Sequence, residues 1–429
     1  IIFIQIVLAA LIFVMGAKSV DIQIFKAEEL AQKAKNDYSR ALSITGQRGL
    51  ILDRNMNKLA TSIDAISVSA CPKMIDNPKK TAKKLSRILG LDTRALARKL
   101  SGNRMFTWVA RSISPAQAKQ IKRLKIKGIY FEDDFKRFYP QRDLAAQVLG
   151  FTNAEDKGLE GMEFKYNDLL AGQTLKIKVI RDGNGRIFDL NKSRRAKLKG
   201  KSIVLTLDKK IQYLSEKILE NTVNTHKANS GMALVMQPET GELLAIAHYP
   251  RFNPNNFKDY SYQQFRNRSV TDSFEPGSTL KVFTAAAALE KGFAPKQIFF
   301  CEQGSYRIGT YTVNDTHDNG WLSINQIIKV SSNIGAVKIA ETIGDKVLYN
   351  TLTGFGFGKR TGIGCPGETP GALSPYRTWS RIDAGAISFG QGVSVSAVQL
   401  ISSISAIANG RTLMIPILIK QIIPNTGQN

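Results

Sequence analysis

Ser278 is the only serine of this chain with a lysine three residues on, in Glu275-Pro276-Gly277-Ser278-Thr279-Leu280-Lys281. The segment reads as a turn opening into an apolar run, Val282, Phe283 and Ala285 to Ala288, which predicts a helix. Residues i and i+3 share a helix face, so the Ser278 hydroxyl and the Lys281 amine can meet without help from tertiary folding. That pair supplies a nucleophile and a base. A serine hydroxyl needs a base close by, and a solvated lysine, with a pKa of about 10.4, is protonated at neutral pH and useless for the task. Burial disfavours the charged form and can lower the value by several units, which the apolar run makes feasible. Backbone N–H groups at the helix start carry partial positive charge and can stabilise an oxyanion formed by the attack. Pro276-Gly277 suits a sharp entry into that position. The same residues also fit a plain helix start, since serine is a preferred cap and lysine is abundant here.

A second element stands downstream, Ser331-Ser332-Asn333, followed by Ile334-Gly335-Ala336-Val337. Asn333 can also simply cap the helix predicted by Ile334, Val337, Ala340 and Ile343, which stops at Gly344. S-x-x-K followed by S-x-N resembles the signature of the serine penicillin-recognising enzymes, and in particular the class B penicillin-binding proteins, the peptidoglycan D,D-transpeptidases. The resemblance implies Ser278 as nucleophile, Lys281 as general base, Ser331 as proton relay to the leaving amine, and Asn333 as the residue that positions substrate and lysine. The family's third motif, K-[ST]-G, is not found before Asn429. Arg360-Thr361-Gly362 falls inside Phe355-Gly356-Phe357-Gly358-Lys359, which resembles a different family segment running to Pro366-Gly367-Glu368, and Asn425-Thr426-Gly427 lacks the lysine. The expectation is therefore a chain truncated at both ends, with its acylation by penicillin impaired.

The elements that must hold these residues read as follows. Ile1 to Ala17 is almost wholly apolar and reads as a transmembrane helix whose start has been cut away. Residues 18–43 carry helix formers and mixed charge, as a juxtamembrane stalk does. Arg48-Gly49-Leu50-Ile51-Leu52-Asp53-Arg54-Asn55, with alternating Ile66, Val68 and Ala70, predicts strands joined by an Asn-rich turn. Leucines and isoleucines at helical spacing from Thr81 to Leu100 predict a solvated helix pair. The first of these segments, with Arg137-Phe138-Tyr139-Pro140, Ala145 to Phe151 and Gly158 to Glu163, is similar to the pedestal, or dimerisation, domain of the family, and the Arg-Phe-Tyr-Pro form leans toward its septal, cell-division subgroup. The domains expected are a pedestal at 44–191, a linker at 192–202 and a transpeptidase domain at 203–429. Apolar runs on either side of Pro238-Glu239-Thr240-Gly241 predict a hairpin. The fold class is thus α/β of the α+β kind: a mixed pedestal, then a transpeptidase fold with an antiparallel sheet flanked by helices.

The 60 Lys and Arg against 35 Asp and Glu give a net charge of +25, which favours polyanionic partners. The basic residues read as dispersed, with no aromatic-interleaved platform, so nucleic acid is not expected. Cys71, Cys301 and Cys365 are too few for a disulfide framework, and with three histidines no metal or cofactor site is expected. The family resemblance implies a bacterial inner-membrane protein with a periplasmic catalytic domain. Its partners would be stem peptides ending in D-Ala-D-Ala, β-lactams, the membrane, a glycosyltransferase and other division proteins. Two other readings remain open, a carboxypeptidase or β-lactam sensor of the same fold and a noncatalytic wall-binding scaffold.

Overall fold

The computed structural model describes residues 2–28, 39–180, 198–410 and 412–425. The chain divides into two compact units, Ile1–Gly49 with Ala171–Lys201 and Pro424–Asn429, and Leu50–Leu170 with Ser202–Ile423. In the first, Ile2–Val20 is a helix, and strand Ser39–Thr45 pairs antiparallel with Thr174–Ile180. The apolar part of that helix ends at Ala17 and rises about 24 Å at 1.5 Å per residue, short of a hydrocarbon core of about 30 Å. Among the described residues no helix is long and apolar enough to cross a membrane. The transmembrane segment expected at 1–17 is thus a helix whose described part falls short of a span. Part of the expected stalk, and residues 192–197 of the expected linker, lie outside the described residues.

The second unit opens on β1 (Ile51–Leu52) and β2 (Lys58–Ala70). The turn between them is the Asn-rich one: the buried Asp53 carboxylate accepts from the backbone N–H of Asn55 and Asn57 and from the Asn57 amide. The helix pair follows as α1 (Pro78–Leu89) and α2 (Thr93–Leu100), started by the side-chain caps Asn77 and Asp92. Gly90, at φ +67°, ends the first. With β3 (Thr107–Ile113), α3 (Pro115–Arg123) and β4 (Ile129–Phe138) they enclose a core of Val68, Leu85, Leu96, Leu100, Val109 and Ile121. At the end of β4, the buried Arg137 donates to Glu163 at 2.6 Å, and the Tyr139 hydroxyl reaches the same oxygen. Two of the pedestal-like segments are therefore fastened to each other through one buried carboxylate.

β5 (Ser202–Leu205) runs parallel to β1 and antiparallel to the last strand, β12 (Ile419–Ile423), giving the order β12-β5-β1-β2-β3, with β4 also on β2. Helix α4 (Lys209–Thr225) lies on the hairpin β6 (Gly231–Met236)–β7 (Leu243–Tyr249), whose turn is the predicted Pro238 to Gly241. Further elements, besides several short helices and two-residue strands, are α5 (Lys281–Glu290), β8 (Ile298–Phe300), β9 (Ser305–Ile308), β10 (Tyr311–Asn314), β11 (Trp321–Ser323), α6 (Ile324–Val330), α7 (Asn333–Ile343), α8 (Asp345–Gly354), α9 (Arg381–Ser388) and α10 (Ala397–Ala408). The expected antiparallel sheet is found in pieces: β6–β7, β8–β11, β9–β10 and β5–β12. The larger sheet is mixed, because β1 and β5, distant in sequence, run the same way. Around α5, Leu280, Phe283, Ile327, Ile334, Leu348 and Phe357 form a second core, with Phe283 edge-on to Phe355 and Phe357.

Candidate active site

Ser278 is held by the chain that runs alongside it. Ser273-Phe274 pairs antiparallel with Val395-Ser396, and Glu275 accepts from the Gly392 N–H at 2.9 Å. The Gly277 N–H donates to the Gly390 carbonyl at 3.0 Å, and the Thr284 hydroxyl donates to the Ser388 carbonyl at 2.7 Å. Gly390 has φ +87°, and a Cβ there would lie 2.0 Å from the Gly277 carbonyl oxygen, so only glycine permits the approach. The family-like segment Ser388-Phe389-Gly390-Gln391-Gly392 is the backrest of the Ser278 turn.

Residues Gly277–Leu280 form a 3₁₀ turn, and α5 begins at Lys281 itself. The sequence predicted an α-helix opening directly from the turn. The tighter start suits the chemistry, since in a 3₁₀ turn residues i and i+3 eclipse each other. The Lys281 amine lies 3.2 Å from Ser278 Oγ. Ser278 Oγ also stands where backbone N–H groups at a helix start lack intrahelical partners.

Lys281 is 2% exposed. Its Nζ donates to the Ser331 carbonyl at 2.5 Å and to Asn333 Oδ1 at 2.7 Å, and stands 3.1 Å from Ser331 Oγ. Burial lowers its pKa to about 8, against the pull of the Asp315 carboxylate, which raises it. A neutral amine has two N–H donors and one lone pair. The Ser331 carbonyl and Asn333 Oδ1 occupy both donors, which leaves the lone pair for a hydroxyl. The Asn333 amide is oriented for this by donating from Nδ2 to the Asn314 carbonyl at 2.9 Å.

All four predicted residues therefore converge on one amine. Ser331 ends α6 in the left-handed conformation, φ +58°, which turns its carbonyl toward Lys281. Asn333 is not the cap of α7. Ser332 is, accepting from the Gly335 N–H at 2.8 Å, and Asn333 is the first helical residue, free to face the lysine. The close packing of α6 on α7 depends on Gly335, where a Cβ would meet Ile327 at 2.5 Å.

Sequence reasoning missed Asp315. One carboxylate oxygen accepts from the N–H groups of Asn333 and Ile334 at 2.6 and 3.0 Å, and the other accepts from the Ser332 hydroxyl at 2.5 Å. It ties the loop after β10 to the start of α7 and places a negative charge near the amine. No spacing or motif marks it, because the contact is wholly tertiary. Of the two third-motif decoys, Thr361 is bound through both its N–H and its hydroxyl to Glu368, and Thr426 and Gly427 lie outside the described residues. The three cysteines are unpaired and buried, and burial pushes Cys365 up to about 12 and raises Cys301, so neither is a thiolate at neutral pH.

This geometry sits in a chain with clear relatives. The penicillin binding protein transpeptidase domain family matches residues 231–428, and the penicillin-binding protein dimerisation domain family matches residues 43–205. The probable peptidoglycan D,D-transpeptidase PenA of Neisseria gonorrhoeae is 34% identical over 431 residues, 99% of this chain and 74% of that protein. The chain is a class B penicillin-binding protein. Similar to this penicillin-binding protein is also the peptidoglycan D,D-transpeptidase FtsI of Escherichia coli, 31% identical over 92% of this chain and 68% of its own length. Among solved structures, a peptidoglycan synthetase from Bifidobacterium adolescentis superposes with a TM-score of 0.68 at 26% identity, over 91% of this chain and 76% of its own. Penicillin Binding Protein 2X from Streptococcus thermophilus gives the same TM-score and identity over 90% of this chain and 61% of its own.

Proposed function

We propose that this class B penicillin-binding protein is a serine D,D-transpeptidase that cross-links peptidoglycan stem peptides. The observation that carries the reading is the buried Lys281 amine, which donates to the Ser331 carbonyl and Asn333 Oδ1 and stands 3.2 Å from Ser278 Oγ. As Ser278 Oγ attacks the carbonyl between the last two D-alanines, its proton passes to Lys281 Nζ. The oxyanion forms in front of the Ser278 N–H. Collapse expels D-alanine, whose amine takes a proton through Ser331 Oγ, and Asn333 holds substrate and lysine. The amine of a second stem then attacks the ester and gives up a proton to Lys281 Nζ, which passes it to Ser278 Oγ as the ester bond breaks. A penicillin enters the same route and stops at the acyl-enzyme.

The septal role is supported by the likeness to FtsI and by Arg137-Phe138-Tyr139-Pro140. Division into a pedestal at 44–191 and a transpeptidase domain at 203–429 is supported by the two family matches. Anchorage in the inner membrane, with the catalytic domain in the periplasm, is supported by the exposed apolar side chains of the N-terminal helix, such as Phe3, Ile6 and Phe13. Intact mass after exposure to benzylpenicillin tests the core of the reading. A single adduct mapping to Ser278, absent from Ser278→Ala, is expected, formed slowly by residues 1–429 and efficiently by a version that carries a K-[ST]-G segment; no adduct on the latter, or one on another side chain, overturns the reading, and equal labelling of the two overturns the expected impairment. Adding an amine acceptor to the acyl-enzyme distinguishes transfer from hydrolysis to a carboxypeptidase product.

A further inference from the structure

Asn-Gly occurs three times in the sequence, at Asn184-Gly185, which lies outside the described residues, at Asn319-Gly320 and at Asn409-Gly410. Glycine has no Cβ to shield its backbone nitrogen, so that nitrogen can approach the side-chain carbonyl carbon of the asparagine before it. Asn409-Gly410 is held against this. The Asn409 amide donates to the Pro238 and Thr412 carbonyls at 2.9 and 2.8 Å, and its Oδ1 accepts from the Thr412 N–H at 2.9 Å. The Gly410 N–H is engaged as well, on the Ile407 carbonyl at 3.2 Å. Asn319-Gly320 is not held in this way. It closes the irregular stretch 315–320 between β10 and β11, where among the described residues no backbone N–H from Thr316 to Gly320 has an acceptor.

Its neighbours tie the pair to the candidate site. Asn319 Nδ2 donates to the His317 carbonyl at 3.2 Å and to Asp315 Oδ2 at 3.4 Å. That carboxylate oxygen also accepts from the Ser332 hydroxyl, while its twin holds the N–H groups of Asn333 and Ile334. The Gly320 carbonyl accepts from the Cys301 N–H at 2.7 Å, and Cys301 Sγ stands 3.7 Å from the Ser332 hydroxyl. Both halves of the dipeptide therefore border the start of α7, the helix whose first residue, Asn333, accepts from Lys281.

We propose that Asn319-Gly320 is a site of spontaneous deamidation, and that the carboxylate it creates loosens the hold of Asp315 on α7 and slows the Ser278 site. The Gly320 nitrogen loses its proton to solvent base and bonds to Asn319 Cγ; the bond from Cγ to Nδ2 breaks, ammonia leaves with a proton from solvent, and a succinimide ring closes. Water then opens the ring, at the new bond to give aspartate or at the original peptide carbonyl to give isoaspartate. Nothing is oxidised or reduced: amide and water become carboxylate and ammonium. In the aspartate product an oxygen stands where Nδ2 donated to Asp315, so an attraction becomes repulsion between two carboxylates. In isoaspartate the main chain is one carbon longer before Gly320, which displaces the carbonyl that Cys301 uses. The slowing of acylation rests on the reading of Ser278 as nucleophile; the deamidation does not.

The test is incubation of the full chain, in detergent, in warm and mildly alkaline buffer, followed by peptide mass mapping and labelling by an isoaspartyl methyltransferase. Asn319 is expected to lose its amide at least about tenfold faster than Asn409. In Gly320→Ala the new Cβ meets only Gln303 Nε2, at 3.4 Å, so the fold is kept, and loss of the Asn319 amide is expected to slow at least about tenfold. Hydrogen exchange at the Asn333 and Ile334 N–H groups, which Asp315 holds, is expected to speed up in the deamidated protein. Benzylpenicillin acylation is read on the version that carries a K-[ST]-G segment, treated the same way. Its rate is expected to fall several-fold as the amide is lost, while incubated Gly320→Ala keeps its starting rate, and Asn319→Asp made directly is as slow as the aged protein. An Asn319 amide that outlasts that of Asn409 overturns the proposal, and so does a deamidated protein with unchanged exchange at α7 or with the acylation rate of fresh protein. Fresh protein that forms no Ser278 adduct refutes the enzyme reading instead, while mass mapping and exchange still read the deamidation, and the two failures are thereby distinct.

Discussion

The lowered pKa of Lys281 makes a numerical prediction about rate. With the amine at about 8, the neutral fraction is about 1% at pH 6, about 9% at pH 7 and half at pH 8. If the neutral amine takes the Ser278 proton in the step that limits acylation, the second-order rate with benzylpenicillin rises about ninefold from pH 6 to 7 and about fivefold from 7 to 8, then by less than about twofold. A solvated lysine, near 10.4, would instead give about tenfold per unit through pH 9. Stopped-flow fluorescence with a reporter penicillin, across about pH 5.5 to 9.5, separates the two. Stability offers an independent check with a fixed sign. The folded pKa lies below the unfolded one, so between about 8 and about 10.5 the unfolded chain binds more protons and stability rises with pH; below about 8 that term is constant. A flat rate profile, or a break near 6.5 or above 10, refutes Lys281 as the neutral base.

Other perturbations follow from the same contacts. Asp315→Asn removes the charge that raises the Lys281 pKa, so the break in the rate profile moves to lower pH, and the plateau falls several-fold as the start of α7 loosens. Gly390→Ala drives a Cβ into the Gly277 carbonyl, and penicillin acylation drops at least about tenfold while urea unfolding of the rest of the fold changes by only about 1–3 kcal/mol. Glu163→Gln removes the carboxylate 2.6 Å from the buried Arg137 guanidinium, and equilibrium unfolding shows a loss of about 3–5 kcal/mol. Buried His248 accepts from the Ser269 N–H, and burial holds its pKa down to about 4. Stability therefore falls as pH drops from about 6.5 to about 4, by up to about 1.4 kcal/mol per unit from this residue, and His248→Gln removes that slope.

Much of the site was legible because its parts are local. Ser278 and Lys281 meet through one turn, and Ser331 and Asn333 flank a helix junction, so residue type and spacing carry the information. The helix pair of the pedestal and the Pro238 hairpin were readable for the same reason, from leucine and isoleucine spacing and from a turn between two apolar runs. What escaped was tertiary. Asp315 acts through backbone N–H groups of a helix it reaches across space, and Gly390 matters only because the Gly277 turn lies against it. The cap of α7 is Ser332 and not the alternative Asn333, since both are good caps and only the fold decides between them. The clustering of basic residues at α1–α3, such as Lys79, Lys80, Lys83, Lys84 and Arg87 on one face of α1, was present in the sequence but is hidden by a whole-chain average.

Ser278 and Lys281 lie three residues apart, yet the surroundings that make them reactive arrive from segments beginning at Asn314, Ser331 and Ser388. An incompletely folded chain would present an ordinary protonated lysine beside an ordinary alcohol, and it would be chemically silent. If Ser278 is acylated as proposed, covalent capture of a fluorescent penicillin counts only those molecules whose last pieces have locked into place, a gauge of maturation as well as of catalysis.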